Sequence, residues 1–364
     1  MNIRGWAAKI VLPLLVAMFC FAGTSELFSK SHAPTSLTFE AQAQDSLHPS
    51  TESGSSADED SERGVAIFQA TFAGISLASI LILMASGLSI IFGLMGVINM
   101  AHGEFMMLGA FSCYVVNMAF KQFFPPQIFD FYWFVAIPVA FLVCAAIGAM
   151  CEALIIWRLY GRQLDSMLAT WGIGLILIQA VRLTFGDTVA LTPPSWFEGG
   201  WEITAGIVLP WNRIFIIAYS ALCLGVLYWI IHHTRFGRIL RATMQNREMA
   251  SALGVNTKVI DRATFALGAG LAGLAGCAVV LVDKLNPQMG QGYIVDSFLV
   301  VVAGGVGKLF GIVVAGLGLG FLTKYLEPFL QAVYGKVFVL LAIVALIRWR
   351  PNGIFANRGR LAND

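Results

Sequence analysis

Asn99, His102 and Glu104 are the residues whose types and spacing most invite chemistry. They stand together in Gly96-Val97-Ile98-Asn99-Met100-Ala101-His102-Gly103-Glu104, between two apolar runs. A carboxyl and an imidazole in apolar surroundings must find partners or change protonation state. Two readings are open: a structural turn whose polar groups cap helix ends, or the lining of a polar solute path or gate. Bond-making chemistry has little support. His102-Gly103-Glu104 echoes the His-x-Glu of zinc deaminases, but no Pro-Cys-x-x-Cys follows. No HExxH occurs, and the few histidines lie near segment ends, so neither a metal site nor a catalytic triad can be assembled. Gly304-Gly305-Val306-Gly307-Lys308 echoes a phosphate loop. The required first glycine is Val302, however, and Leu309 replaces the Ser or Thr that would hold magnesium. The chain is expected to bind no cofactor and no ATP by itself, and to be no enzyme.

Two further sets suggest contacts with other proteins. The first is Arg241-Ala242-Thr243-Met244-Gln245-Asn246-Arg247-Glu248-Met249-Ala250-Ser251-Ala252-Leu253-Gly254. It lacks glycine and proline up to Leu253, and Gly254 suits a helix C-cap. Ala242, Met249, Ala250 and Leu253 recur near helical spacing, opposite Arg241, Asn246 and Arg247. Such a short amphipathic helix fits a groove on a partner, or lies on lipid headgroups. The second is Pro193-Pro194-Ser195-Trp196-Phe197-Glu198-Gly199-Gly200-Trp201. Trp196 and Trp201 suit the lipid interface. With Glu198 they also suit docking of an external partner.

The elements that must position these residues are membrane helices. Of 364 residues, 58% are hydrophobic and 12% charged, against about 25% charged in soluble domains. Lys and Arg (23) nearly balance Asp and Glu (21), which leaves no basic surface for nucleic acid. The apolar runs cover 66–98, 103–120, 132–157, 166–185, 214–231, 263–282, 294–306, 309–323 and 337–349. Lipid demands that each span satisfy its own backbone, so the expected fold is all-α: a polytopic transmembrane bundle of about 8–10 spans. Gly87, Gly93 and Gly96 predict that the first run breaks or re-enters. The seventh and eighth runs are short and glycine-rich. Gly268, Ala269, Gly270, Ala272, Gly273, Ala275 and Gly276 crowd one span, where small residues permit close helix approach. The cysteines show no CxxC spacing and read as small apolar residues.

Four zones follow. Residues 1–25 form a signal peptide or N-terminal anchor, with Arg4 and Lys9 before an apolar stretch. Residues 26–64, rich in Ser, Thr, Asp and Glu, read as a disordered acidic tail outside the cytoplasm. Residues 65–350 are the membrane domain, and 351–364 a cytoplasmic tail. Arg235, Arg238, Arg241, Arg247, Lys258 and Arg262 mark one loop as cytoplasmic, as Arg158 and Arg162 mark another. The stretch 186–210, with Asp187, Glu198 and Glu202 and no Lys or Arg, faces outward.

The strings Gly87–Gly109, Arg241–Gly254, Phe265–Gly276 and Asn286-Pro287-Gln288-Met289-Gly290 resemble the permeases of ABC importers for branched-chain amino acids. The resemblance spans essentially all of 65–360. Thr170-Trp171-Gly172, Pro194-Ser195-Trp196, Gln245-Asn246-Arg247, Gln291–Phe298 and Arg350–Phe355 are similar, within that family, to the urea importer permeases. The resemblance implies a second permease subunit, two cytoplasmic ATPases that hold ATP and magnesium, and a periplasmic binding protein docking at Trp196, Glu198 and Trp201. It implies that Arg241, Asn246, Arg247, Ala250, Leu253 and Gly254 form the ATPase-coupling element. Asn99, His102, Glu104, Trp171 and Asp296 would then line the path or gate. The membrane would be the bacterial inner membrane. Urea is neutral and needs only a few donors and acceptors, whereas an amino acid needs partners for both its charges. The low intramembrane charge favours urea, with a branched-chain amino acid or short amide as the alternative. Classes with a different energy source are an ion-coupled secondary transporter and a channel.

Overall fold

The computed structural model describes residues 56–349 except Thr192, Glu198, Ala205 and Gly206; the leader and most of the tail, 1–55, and the C-terminal 350–364 lie outside the described residues. Helices dominate: α1 Ser56–Met95, α2 His102–Phe123, α3 Tyr132–Leu154, α4 Gln163–Phe185, α5 Trp211–His233, α6 Arg235–Gln245, α7 Arg247–Ala252, α8 Thr257–Val279, α9 Met289–Gly304 and α10 Leu309–Trp349. A two-stranded hairpin, β1 Gly200–Thr204 with β2 Ile207–Pro210, joins α4 to α5. Among the described residues seven helices are long and apolar enough to cross a membrane, and Met289–Gly304 is a shorter apolar helix. The chain is a multi-pass helical membrane protein.

Helix α8 is the hub. It packs on α1, α2 and α3 together, while α10 and α9 flank α1 and α4 touches little beyond α2. The small residues of α8 explain this position. A Cβ at Gly87 of α1 would lie 2.6 Å from the Gly268 carbonyl oxygen, and one at Gly273 would lie 2.6 Å from the Cys144 sulfur of α3. A Cβ at Gly109 of α2 would overlap the Gly273 backbone, and one at Gly276 would overlap the Met106 carbonyl. Water supplies no drive for helix association in lipid, so this backbone-to-backbone packing must hold the helices together. Cys113, Cys144, Cys151 and Cys277 are buried in the same interfaces as free thiols.

Several expected boundaries move. The first apolar run does not break at Gly87 or Gly93: α1 continues through both. Those glycines serve close approach, to Gly268 and to Met244 and Gly307, rather than a bend. The chain turns only at Gly96, whose φ of 65° is left-handed. The runs at 309–323 and 337–349 belong to one 41-residue helix, α10. Helix α1 starts at Ser56, inside the zone expected to lack structure. The sequence places Asp58, Glu59, Asp60 and Glu62 in its first turns, where the helix dipole favours negative charge.

The packing predicts a sharp contrast between two single-methyl substitutions. Gly109→Ala should destabilise the bundle by about 1–3 kcal/mol through overpacking. Gly172→Ala, with nothing near its Cβ position, should be neutral or stabilise by up to about 1 kcal/mol. Thermal unfolding in detergent reads the difference, and equal melting temperatures would contradict the packing account.

Candidate functional site

The turn between α1 and α2 is buried throughout its polar part. Gly96 closes α1 through its N–H to the Phe92 carbonyl (2.9 Å). The Ala101 N–H donates to Asn99 Oδ1 (3.1 Å), which shapes the reversal into α2. The Met100 N–H donates to Thr170 Oγ1 of α4 (3.1 Å). Asn99 and His102 are fully buried and Glu104 is 6% exposed. His102 Nε2 lies 3.0 Å from the Met84 carbonyl. A carbonyl only accepts, so Nε2 carries the proton and Nδ1 is left as an acceptor.

Among the described residues, one polar atom on each of these three has no partner: Asn99 Nδ2, His102 Nδ1 and Glu104 Oε2. A buried polar group without a hydrogen bond costs about 1–3 kcal/mol, so three in one turn require an explanation. Together they offer a donor and two acceptors. The Glu104 carboxyl faces α4 at Gly174, where a Cβ would lie 3.1 Å from the carboxyl carbon. Asn99, His102 and Glu104 thus lie at one reversal, with His102 directed at Met84 of α1 and Glu104 at Gly174 of α4. Thr170 and Gly174 complete it. Neither appeared among the expected site residues, although Thr170 is a hydroxyl residue within an apolar run.

Trp171 and Asp296 do not join this set. Trp171 is 57% exposed, because the helical turn that points Thr170 at the reversal points its neighbour off the bundle. Asp296, on α9, lines a separate cavity of about 380 Å³ with Asp283, Tyr293, Lys324, Glu327 and Lys336. Lys324 and Glu327 pair at 2.5 Å. Asp296 forms no ion pair among the described residues. This cavity, absent from the sequence reading, carries charges of both signs.

The basic segment is two helices, not the single one expected. Asn246 ends α6 and caps α7, its Oδ1 accepting the Met249 N–H at 2.9 Å. Gly254, at φ 87°, closes α7; the Gly254 N–H donates to the Ser251 carbonyl (3.0 Å) and the Val255 N–H to that of Ala250 (3.1 Å). The expected single apolar face is also corrected: Ala250 is buried, but Met249 and Leu253 are exposed. The Asn246 break rotates α7 out of register with α6. Arg241 is not free, since its guanidinium donates to the Ile231 carbonyl. Arg247 forks onto Asp261 of α8 through Nη1 (3.1 Å) and Nη2 (2.5 Å). Beside it, the Tyr160 hydroxyl donates to Glu152 Oε1 (2.7 Å) and Arg262 Nε donates to Glu152 Oε2 (3.2 Å). Burial above all, then the Glu152 and Asp261 carboxylates, raises the Tyr160 phenol well above its ordinary pKa, so it remains a donor.

At the opposite end the hairpin pairs Trp201 with Leu209. Trp196 and Trp201 are both exposed. Trp196 stacks on Phe134 (5.5 Å between ring centroids) and Phe197 (4.9 Å), so it is rigidly held. Glu198 lies outside the described residues. The hairpin was unforeseen; the short apolar run at 207–209 was its only signal.

The comparisons with known proteins agree with this architecture. A family model described as the permease component of the branched-chain amino acid transport system matches residues 70–347. The high-affinity branched-chain amino acid transport system permease protein LivH of Escherichia coli is 30% identical over 318 residues, covering 81% of this chain and 97% of that protein. BraD, the high-affinity branched-chain amino acid transport system permease protein of Pseudomonas aeruginosa, is 26% identical, covering 77% and 93%. A probable branched-chain amino acid transport permease of Methanocaldococcus jannaschii is 27% identical, covering 76% and 89%. PsaBC from Streptococcus pneumoniae in complex with Fab matches with a TM-score of 0.41 and 12% identity over 79% of this chain and 92% of that one, a likeness too weak to bear on function. The chain belongs to the family of permease components of branched-chain amino acid transport systems.

Proposed function

We propose that the chain is the membrane-spanning permease subunit of an ATP-driven importer, and that its solute passes the buried turn at Asn99, His102 and Glu104. The observation that carries this reading is the trio of unpartnered atoms on residues so close together at that turn. A polar solute reaching this turn would find open donor and acceptor atoms on all three residues. Two ATPases would engage α7 on the cytoplasmic side, where Arg235, Arg238, Arg241, Arg247, Lys258 and Arg262 gather. The exposed Met249 and Leu253 supply apolar anchors for that contact. A second permease subunit would complete the path, and a periplasmic binding protein would dock at the hairpin end, near Trp196 and Trp201. ATP binding and hydrolysis would shift the bundle between outward- and inward-open states of different solute affinity.

A branched-chain amino acid is the better supported solute. The relatives are described as permeases for such amino acids. The cavity at Asp296 also offers an amino acid partners for both its charges, with Asp283 and Asp296 for the ammonium and Lys324 or Lys336 for the carboxylate. Urea is the second reading. It is favoured by the small donor-acceptor set of the buried turn, which needs no charged clamp.

Uptake into proteoliposomes holding the full partner set separates the readings. Labelled leucine should accumulate with ATP and labelled urea should not; the reverse would establish the urea reading. Uptake that persists without ATP under an imposed ion gradient would remove the ATP-driven mechanism itself. Glu104→Gln exchanges an acceptor oxygen for a donor and should cut uptake about tenfold, the scale of one hydrogen bond to a charged group, with complex yield retained. Unchanged uptake would make the turn purely structural. Gly254→Val forces a β-branched residue to φ 87°, a strain of about 1–3 kcal/mol. Insertion should survive while ATPase copurification is lost, and normal copurification would refute the contact at α7.

A further inference from the structure

From the packing around α7 and α8 we infer that the Arg247–Asp261 pair is the joint through which movement of α7 reaches the buried turn at Asn99–Glu104. This deepens the functional reading above and rests on it. Helix α7 is tied to the bundle at few points. Ala250 is its buried residue, while Met249 and Leu253 face outward. Its firm polar tie is Arg247, whose fork grips both oxygens of Asp261 (3.1 and 2.5 Å). The Asp261 side chain is fully buried, whereas that of Arg247 is 39% exposed. Sliding α7 past α8 would strand a buried carboxylate without its counter-charge, the costly way to break such a pair. Helix α7 and the start of α8 therefore move together.

The surroundings hold the joint in place. The Arg247 guanidinium sits 5.3 Å from the centroid of the Tyr160 ring. Tyr160 is itself bonded to Glu152 at the end of α3, and Glu152 to Arg262 of α8. Two acids and two guanidinium groups balance, and a bidentate guanidinium–carboxylate pair fixes orientation as well as distance.

Beyond the joint, α8 has little compliance. Gly268 meets Gly87 of α1, and Gly273 and Gly276 meet Gly109 and Met106 of α2, backbone against backbone. Where backbone meets backbone there is little slack to absorb a displacement. Helix α2 begins at His102, with Glu104 in its first turn. A shift at Arg247 is thus handed through Asp261, the α8 glycines and α2 to the three unpartnered atoms. Arg247 and Asp261 are positioning residues: they touch neither solute nor ATP.

The test uses the assembled transporter in proteoliposomes with Asp261→Asn, Arg247→Lys and the double variant Arg247→Met with Asp261→Leu. The quantity read is solute moved per ATP hydrolysed, beside complex yield. The ratio should fall about tenfold for Asp261→Asn, the scale of one charge-assisted fork, and less for Arg247→Lys. The double variant replaces the pair by packed apolar groups, so its yield should be close to that of the unsubstituted complex while the ratio stays low. A normal ratio in Asp261→Asn, or in the double variant if Asp261→Asn does not assemble, would overturn the joint and leave the importer reading intact. Absence of ATP-driven uptake in the unsubstituted complex would overturn both.

Discussion

Contact between bare backbones holds this bundle together. In lipid, apolar side chains gain nothing by leaving the tails for one another, so helices associate through close fit. Here the fit is made at α8, where glycines and alanines admit α1, α2 and α3 to backbone distance. Every other feature is positioned from that hub. Helix α2 is set by Gly109 against Gly273, which fixes where His102 and Glu104 lie. Helix α1 is set by Gly87 against Gly268, which fixes the Met84 carbonyl that holds His102.

On this rigid frame the polar groups sort into two kinds. Those at the α7 end are paired: Arg247 with Asp261, Arg262 with Glu152, Tyr160 with Glu152. Their mutual satisfaction fixes how α7 joins α8. At the α1–α2 turn Asn99 and His102 are each half satisfied, one atom held by the protein and one left open, and Glu104 Oε2 is open beside them. A fully bonded site would have no capacity for a passing solute, and a wholly unbonded one would not keep its shape. Helix α4, which closes the turn through Thr170 and Gly174, is also among the least embedded in the bundle.

The membrane class, the helices and the buried polar turn were legible in the sequence because apolar runs and an Asn–His–Glu interruption are one-dimensional signals. So was the family, through long strings such as Gly87–Gly109. What was misread is three-dimensional. Gly87 and Gly93 looked like breaks, since a glycine that bends a helix and one that admits a neighbour are the same letter. Trp171 was grouped with Asn99, but one step along a helix rotates a side chain by about 100° and sets it apart from Thr170. Asn246 was placed on a polar face within one helix, whereas its side chain caps a new one. The pairs Arg247–Asp261 and Arg262–Glu152 were invisible because no periodicity links residues so far apart in sequence.

The shortness of α7 has a thermodynamic meaning of its own. A helix of six residues cannot sustain itself in water, where isolated helices shorter than about 12–15 residues are marginal. Its order comes from Asn246 at one end, Gly254 at the other and the grip of Asp261. It therefore belongs to the low-stability end of the molecule, among the segments that open locally before the whole unfolds. Its amides should exchange with solvent faster than those of α8 a few residues on. A surface of this kind gains order when a partner covers it, so the same short stretch can sense contact as well as make it.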